Sequence, residues 1–144
     1  MINNVLLTSL LLLSTNTLGS ELFAINGVSI GDDKTKLISR FGQPIEIQSE
    51  PPQFGEIEES YRFSNANVHI TDRTISNIRA WGTEYSTSNG ISPGDAVSKL
   101  IKNKGKPTYI NKDLYAYQYK DTDCYYRFKV NQSVVRQIEL WCAQ

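Results

Sequence analysis

Residues 27–44 read GVSIGDDKTKLISRFGQP and residues 90–107 read GISPGDAVSKLIKNKGKP. Aligned without gaps at an offset of 63, the two stretches share nine of eighteen positions: Gly27/Gly90, Ser29/Ser92, Gly31/Gly94, Asp32/Asp95, Lys36/Lys99, Leu37/Leu100, Ile38/Ile101, Gly42/Gly105 and Pro44/Pro107. That agreement reads as an internal duplication, and any fold proposed for the chain has to place both copies.

Each copy carries the marks of one short helix. Asp32 and Asp95 suit an N-cap, where a carboxylate accepts from free backbone amides at the positive end of the dipole. Leu37 with Ile38, and Leu100 with Ile101, start an apolar stripe that Phe41 extends in the first copy and Val97 in the second. Gly42 and Gly105 can take the left-handed conformation that closes a helix, and the prolines two residues later forbid continuation.

The segments after each helix alternate as strands do. The first set is Glu59–Ser64, 67–71 and Ile75–Trp81. The second is Leu114–Lys120, Cys124–Asn131 and Val135–Cys142. Asn65-Ala66, Asp72-Arg73, residues 121–123 and residues 132–134 supply the turns. Ile45–Gln48 and Thr108–Asn111 offer one more strand each. The predicted fold class is α+β: two tandem repeats, each a helix followed by a 3–4-stranded antiparallel meander, with the helices on one face of the sheet. Residues 20–89 form the first unit and residues 90–144 the second.

Strand parity then assigns faces. Ile78, Ala80, Ile138, Leu140 and Cys142 share the apolar parity and are expected under the helices, as are Cys124, Tyr126, Phe128 and Val130. The opposite parity holds Asn77, Arg79, Trp81, Gln137, Glu139 and Trp141. Cys124 and Cys142, the only two cysteines, gain a partner by the same arithmetic. A three-residue loop closed by Asn131 and Val135 sets Cys124 directly opposite Cys142 on adjacent strands, so a structural disulfide is expected.

The amino terminus, MINNVLLTSLLLLSTNTLGSELFA, holds an apolar run from Val5 to Leu13 that is too short to span a bilayer and matches the core of a secretory signal, with cleavage before Ser20. Residues 1–19 are therefore read as a signal peptide, the mature protein as periplasmic or secreted, and no stable membrane insertion is expected after cleavage. Export favours disulfide formation between an even pair of cysteines. The balanced total of 15 basic and 15 acidic residues hides an asymmetry. Residues 20–89 hold ten acids and six bases, and residues 90–144 hold five acids and nine bases. A nucleic-acid partner, which calls for one continuous basic stripe, is not expected.

Catalytic constellations are missing from the sequence. His69, the only histidine, falls on the polar parity between Val68 and Ile70 and reads as a solvated strand residue. Asp121-Thr122-Asp123 lacks the glycine and bidentate glutamate of a calcium loop. Glu56, Glu58 and Glu59 follow Pro51-Pro52 and read as a solvated loop and strand edge. No metal, cofactor or enzymatic activity is expected.

The pattern Gly31-Asp32, Lys36-Leu37-Ile38, Gly42-Gln43-Pro44, repeated at Gly94-Asp95 and Gly105-Lys106-Pro107, resembles the repeat signature of beta-lactamase-inhibitory-protein-like modules. A single copy is similar to the small outer-membrane assembly lipoproteins of Gram-negative bacteria. The resemblance implies a helical layer on one side of a sheet and an aromatic-rich face on the other that grips a protein partner without catalysis. Two departures are visible: the inhibitors have a helical hairpin and a disulfide in each repeat, and the lipoproteins an N-terminal acylated cysteine. The expected partner-binding residues are Trp81, Arg79, Trp141, Tyr125, Arg127 and Glu139, since aromatic and arginine side chains anchor such contacts. The competing expectation buries Trp81 and Trp141 between the repeats as core. An alternative function is a periplasmic structural or envelope-assembly factor.

Overall fold

The computed structural model describes residues 22–144; the expected signal segment, residues 1–19, lies outside them. Helix α1 (Lys34–Phe41) precedes strands β1 (Glu46–Gln53), β2 (Glu56–Phe63), β3 (Ala66–Thr71) and β4 (Thr74–Ala80). Helix α2 (Val97–Lys104) precedes β5 (Tyr109–Asn111), β6 (Leu114–Gln118), β7 (Cys124–Asn131) and β8 (Val134–Cys142).

The two separate helix-plus-meander repeats expected from the sequence are not what the chain adopts. All eight strands form one antiparallel sheet in the order β1-β2-β3-β4-β8-β7-β6-β5, accompanied by only two short helices. The reason lies at the middle of that order. Two isolated meanders would leave β4 and β8 as exposed edges rich in Ile, Leu and Ala; instead they pair with each other through Ile78/Leu140, Arg79/Glu139 and Ala80/Ile138. One core results, in which Ile70, Ile75 and Ile78 share a cluster with Tyr126, Phe128, Ile138 and Leu140.

The hairpins β3–β4 and β7–β8 turn the same way. Asp72 and Arg73 have φ of 49° and 74°, and Gln132 and Ser133 have 50° and 60°. Such paired positive values define the tight two-residue turn whose twist matches antiparallel strands. Just beyond each turn the register slips by one residue, between His69 and Ile70 and between Lys129 and Val130. Ser76 and Arg136 are the extra residues, and their bulges let Ile75 and Ile78, or Val135 and Ile138, all reach the core. The three-residue loop expected between Asn131 and Val135 is therefore corrected. The loop is one residue shorter, and the bulge restores the original register, so that Cys124 still faces Cys142.

Those cysteines are joined, with an S–S distance of 1.98 Å and a Cα–Cα distance of 3.9 Å. The prolines that suggested a loop at residues 51–52 lie within β1, whose outer edge has no ladder partner to lose.

Asp32 and Asp95 also act differently from expectation. The N-cap of α1 is Asp33, which accepts from the Lys36 amide at 2.9 Å, and that of α2 is Ala96, which has no capping side chain. Asp32 and Asp95 instead stand one residue ahead and accept the Ser29 and Ser92 amides, each at 2.8 Å. Each also pairs with a lysine one turn on, Lys36 or Lys99, at 3.1 Å. These carboxylates thus fold the turn that leads into the helix. Gly42, at φ 83°, closes α1 by donating its N–H to the Ile38 carbonyl.

Leu37 and Leu100 are the fully buried residues of the helices, and both meet the core cluster on one side of the sheet. Phe23, Ile25 and Val28 fill the same side from the amino-terminal segment, and Tyr85 and Ile91 from the segment that joins β4 to α2. The Tyr126 hydroxyl fixes the first of these segments, accepting from the Ala24 amide at 3.0 Å and donating to the Leu22 carbonyl at 2.5 Å. Phe23 lies between the Tyr119 and Tyr126 rings, each 4.9 Å away.

Replacing both cysteines, Cys124→Ala with Cys142→Ala, is expected to lower stability by about 3 kcal/mol through the loosened unfolded chain, read by urea titration. A second expectation concerns alkali. Burial, aided by Tyr115 nearby, pushes the Tyr117 hydroxyl up to about 12, and burial raises Tyr61 and Tyr85 in the same direction. A free tyrosine ionises near 10, so between about 10 and 12 the unfolded chain gives up a proton that the folded chain keeps. Tyr117 should add no pH dependence to the stability below about pH 10, the stability should fall as the pH rises toward 12, and Tyr117→Phe should flatten that slope in urea titrations across the range.

Candidate functional site

The face of the sheet away from the helices is organised in rows that run across the strands. The register lines up Glu46, Arg62, Asn67, Arg79, Glu139, Arg127, Ala116 and Tyr109, one from each of the eight strands. Charges alternate along much of it. Glu46 holds Arg62 at 2.9 Å, and at the centre Glu139 accepts from both sides. Arg79 donates through Nε and Nη2 to Oε2, at 3.1 and 3.0 Å, and Arg127 forms an ion pair through Nη1 with Oε1 at 3.1 Å.

Glu139 is only 5% exposed although it lies on the polar face. Its flanking strands and the two guanidinium groups exclude water from it, and the two ion pairs supply what the carboxylate loses in hydration. Arg79 remains nearly half exposed and Arg127 about a quarter. The clasp thus presents a cationic rim around a sunken anion.

Beside this row runs a second one, in which Tyr125 pairs with Trp141 across β7 and β8. The two rings lie 6.0 Å apart, Tyr109 continues the aromatic run 5.8 Å from Tyr125, and the Arg127 guanidinium sits 5.0 Å above the Trp141 ring. Arg127 is therefore held by an ion pair on one side and an aromatic face on the other. Arg79, Glu139, Arg127, Trp141 and Tyr125, expected together from strand parity, form one contiguous patch. Trp81 stands apart. The β4–β8 register puts Trp141 level with Asn77, so Trp81 lies four residues further along, about 13 Å at the usual strand rise. Trp81 is 39% exposed and Trp141 half-buried, so neither is part of the core cluster.

Next to Trp141, β4 and β8 separate after only three paired positions, and the Asn77 amide bridges them by donating to the Leu140 carbonyl at 3.0 Å. A cleft of about 470 Å³ opens there, lined by His69, Ser76, Asn77, Arg79, Trp141 and Gln144 among others. His69 lies on this face, as expected, with Nδ1 3.0 Å from the Ser60 hydroxyl. The glutamates that followed the prolines diverge: Glu58 sides with Ser60, whereas Glu59 turns to the helix side and accepts from the Tyr61 hydroxyl at 3.1 Å. They belong to strand β2 rather than to a loop. Among the described residues no group of three or more His, Cys, Asp or Glu side chains could hold a metal ion, and no helix is long and apolar enough to cross a membrane.

Asn67 and Tyr109 are members of the face that sequence reading did not single out, whereas Asn77 was assigned to it by parity. Their signal was present in the parity of β3 and β5, but joining Asn67 to Glu139 required the β4–β8 register, which no local pattern encodes, and joining Tyr109 required the pairing of β5 and β6 with β7.

No protein-family model and no curated protein matches the chain. Among solved structures it is similar to a cysteine-rich secretory protein from Staphylococcus aureus subsp. aureus Mu50, at 16% identity and a TM-score of 0.49 over 78% of this chain. The chain spans 44% of the length of that protein. It is also similar to a DUF4309 family protein from Bacillus subtilis subsp. subtilis str. 168, at 18% identity and a TM-score of 0.46, over 81% of this chain and 83% of the other.

The Glu139 clasp makes a stability prediction. Glu139→Ala leaves two guanidinium groups facing each other across a half-buried gap and should cost about 2 kcal/mol. Arg79→Ala, which removes a partner in better contact with water, should cost less than about 1 kcal/mol. Urea titration of both variants and of the pair together should show losses that do not add.

Proposed function

We propose that the chain is an exported, non-enzymatic protein-binding module of inhibitor-like or immunity-like type, and that the face bearing Arg79, Arg127, Glu139, Tyr125 and Trp141 contacts its partner, with Trp81 at the margin. The observation that carries this reading is the clasp itself. A carboxylate sunk between two arginines, with a tryptophan stacked on one of them, is a rigid arrangement whose side chains have already lost their freedom before binding. A partner laid on it gains contact with little further ordering. The aromatic run from Tyr109 through Tyr125 to Trp141 supplies the apolar area, and Arg79 the exposed charge.

The disulfide agrees with residence in an oxidising compartment, periplasmic or extracellular. Another protein, rather than nucleic acid, suits a face on which arginines are already matched by Glu139 and Glu46, since phosphate recognition needs cations left free.

The test is affinity capture with the full chain from periplasmic or secreted extract, followed by titration of the captured protein against variants. Trp141→Ala with Tyr125→Ala should weaken binding at least a hundredfold while the circular dichroism spectrum is kept. Equal binding by this variant, or binding abolished only by substitutions on the helix side, would overturn the assignment of the face.

A further inference from the structure

The two edges of the sheet are unequal. β5 has three residues, whereas β1 has eight and stands alone along its outer side. The tight turn at Ser64 and Asn65 makes Phe63 and Ala66 a mutually hydrogen-bonded pair, and alternation then turns the amides of Arg62, Ser60 and Glu58 toward β1. With Glu46 opposite Arg62, it is Ile47 and Ser49 that direct their N–H and C=O groups outward. Pro51, at the same parity, has no N–H to offer, and the Ile45 amide donates inward to the Arg62 carbonyl at 2.7 Å, so the free ladder runs from Ile47 to Glu50.

The side chains of this edge differ between its two faces. Toward the helix side, Ile45 is 58% and Ile47 49% exposed, and Ile57 on β2, 52% exposed, stands four residues further along toward Pro51. Toward the other side stand Glu46, Glu50 and Glu58, with Glu50 directly opposite Glu58 and Arg62 the one base of the two strands. A strand added here would meet aliphatic side chains on one face and carboxylates on the other.

We propose that the β1 edge takes up an extended segment of a partner protein in which basic and aliphatic side chains alternate. The outward groups of Ile47 and Ser49 supply the hydrogen bonds and the two faces supply the selection. The surface is distinct from the Glu139 clasp and does not depend on the function proposed for it. A second copy of this chain fits poorly. An antiparallel β1 pair centred on Gln48 sets Glu46 against Glu50 of the other copy, and like charges directly opposite each other are destabilising.

The probe is a synthetic octapeptide of alternating lysine and valine, compared with its glutamate counterpart, at physiological salt against the isotope-labelled full chain. The lysine peptide should bind saturably, shift the Ile47 and Ser49 amide resonances, and slow their hydrogen exchange at least tenfold. Ser49→Pro, which removes an outward donor at an edge that already tolerates proline, should abolish binding. Glu50→Lys with Glu58→Lys, which leaves the backbone ladder intact, should weaken the lysine peptide more than tenfold and favour the glutamate peptide. Trp141→Ala should change neither. The proposal is overturned by absent binding, by equal binding of both peptides, by shifts confined to the Glu139 face, by indifference to the charge reversal, or by self-association that uses β1.

Discussion

Three residue pairs join the two halves of the sheet. Ile78/Leu140, Arg79/Glu139 and Ala80/Ile138 are the whole of the ladder between β4 and β8, and everything on either side depends on them. Two of the pairs direct aliphatic side chains into the common core, while the third places a carboxylate at the centre of the opposite face. The same short seam thus contributes both the hydrophobic continuity of the sheet and its most organised polar feature. Its brevity has a purpose in the geometry, because the strands part immediately beyond it and leave the cleft beside Trp141.

The bulges explain how a short seam can suffice. Ser76 and Arg136 each add one residue to a strand just after its turn, and each strengthens the local twist. Without them, the alternation begun at Ile75 or Val135 would carry Ile78 and Ile138 to the solvated face, and with them the seam. The segments ahead of the helices use the same places: Gly31 donates to Ile75 and Gly94 to Val135, at 2.8 and 2.7 Å, so each helix is tied to the strand that its own half ends with.

Much of this was legible in the sequence, and the reasons differ by level. Helix position followed from Leu37, Leu100 and the glycine-proline stops, which are local signals. The core parity of β4, β7 and β8 followed from alternation, and the Cys124–Cys142 bridge from counting, even though the loop is one residue shorter than the count assumed. The error cancelled because the bulge at Arg136 restores the register before the cysteines are reached. What could not be read was the joining of the halves. Local patterns are satisfied equally by two small sheets or one large one, and the choice is made by burial of edges some sixty residues apart in sequence, such as Ile78 and Leu140. The strand character of residues 49–53 and 56–58 was missed for a related reason. Prolines and glutamates argue against a strand that is paired and buried on both sides, but not against one at the rim. Of the face residues, strand parity found Arg79, Glu139, Arg127, Tyr125 and Trp141; it could not tell that Trp81 would stand away from them.

The Tyr126 hydroxyl, bonded to the chain at both Leu22 and Ala24, pins residues 22–24 against the core. Cleavage between Leu22 and Ile25 would withdraw Phe23 from between its two rings and remove the Tyr126 hydroxyl's bonds to Leu22 and Ala24, opening the interior next to the disulfide. Processing that reaches these residues should therefore cost stability as a step rather than gradually.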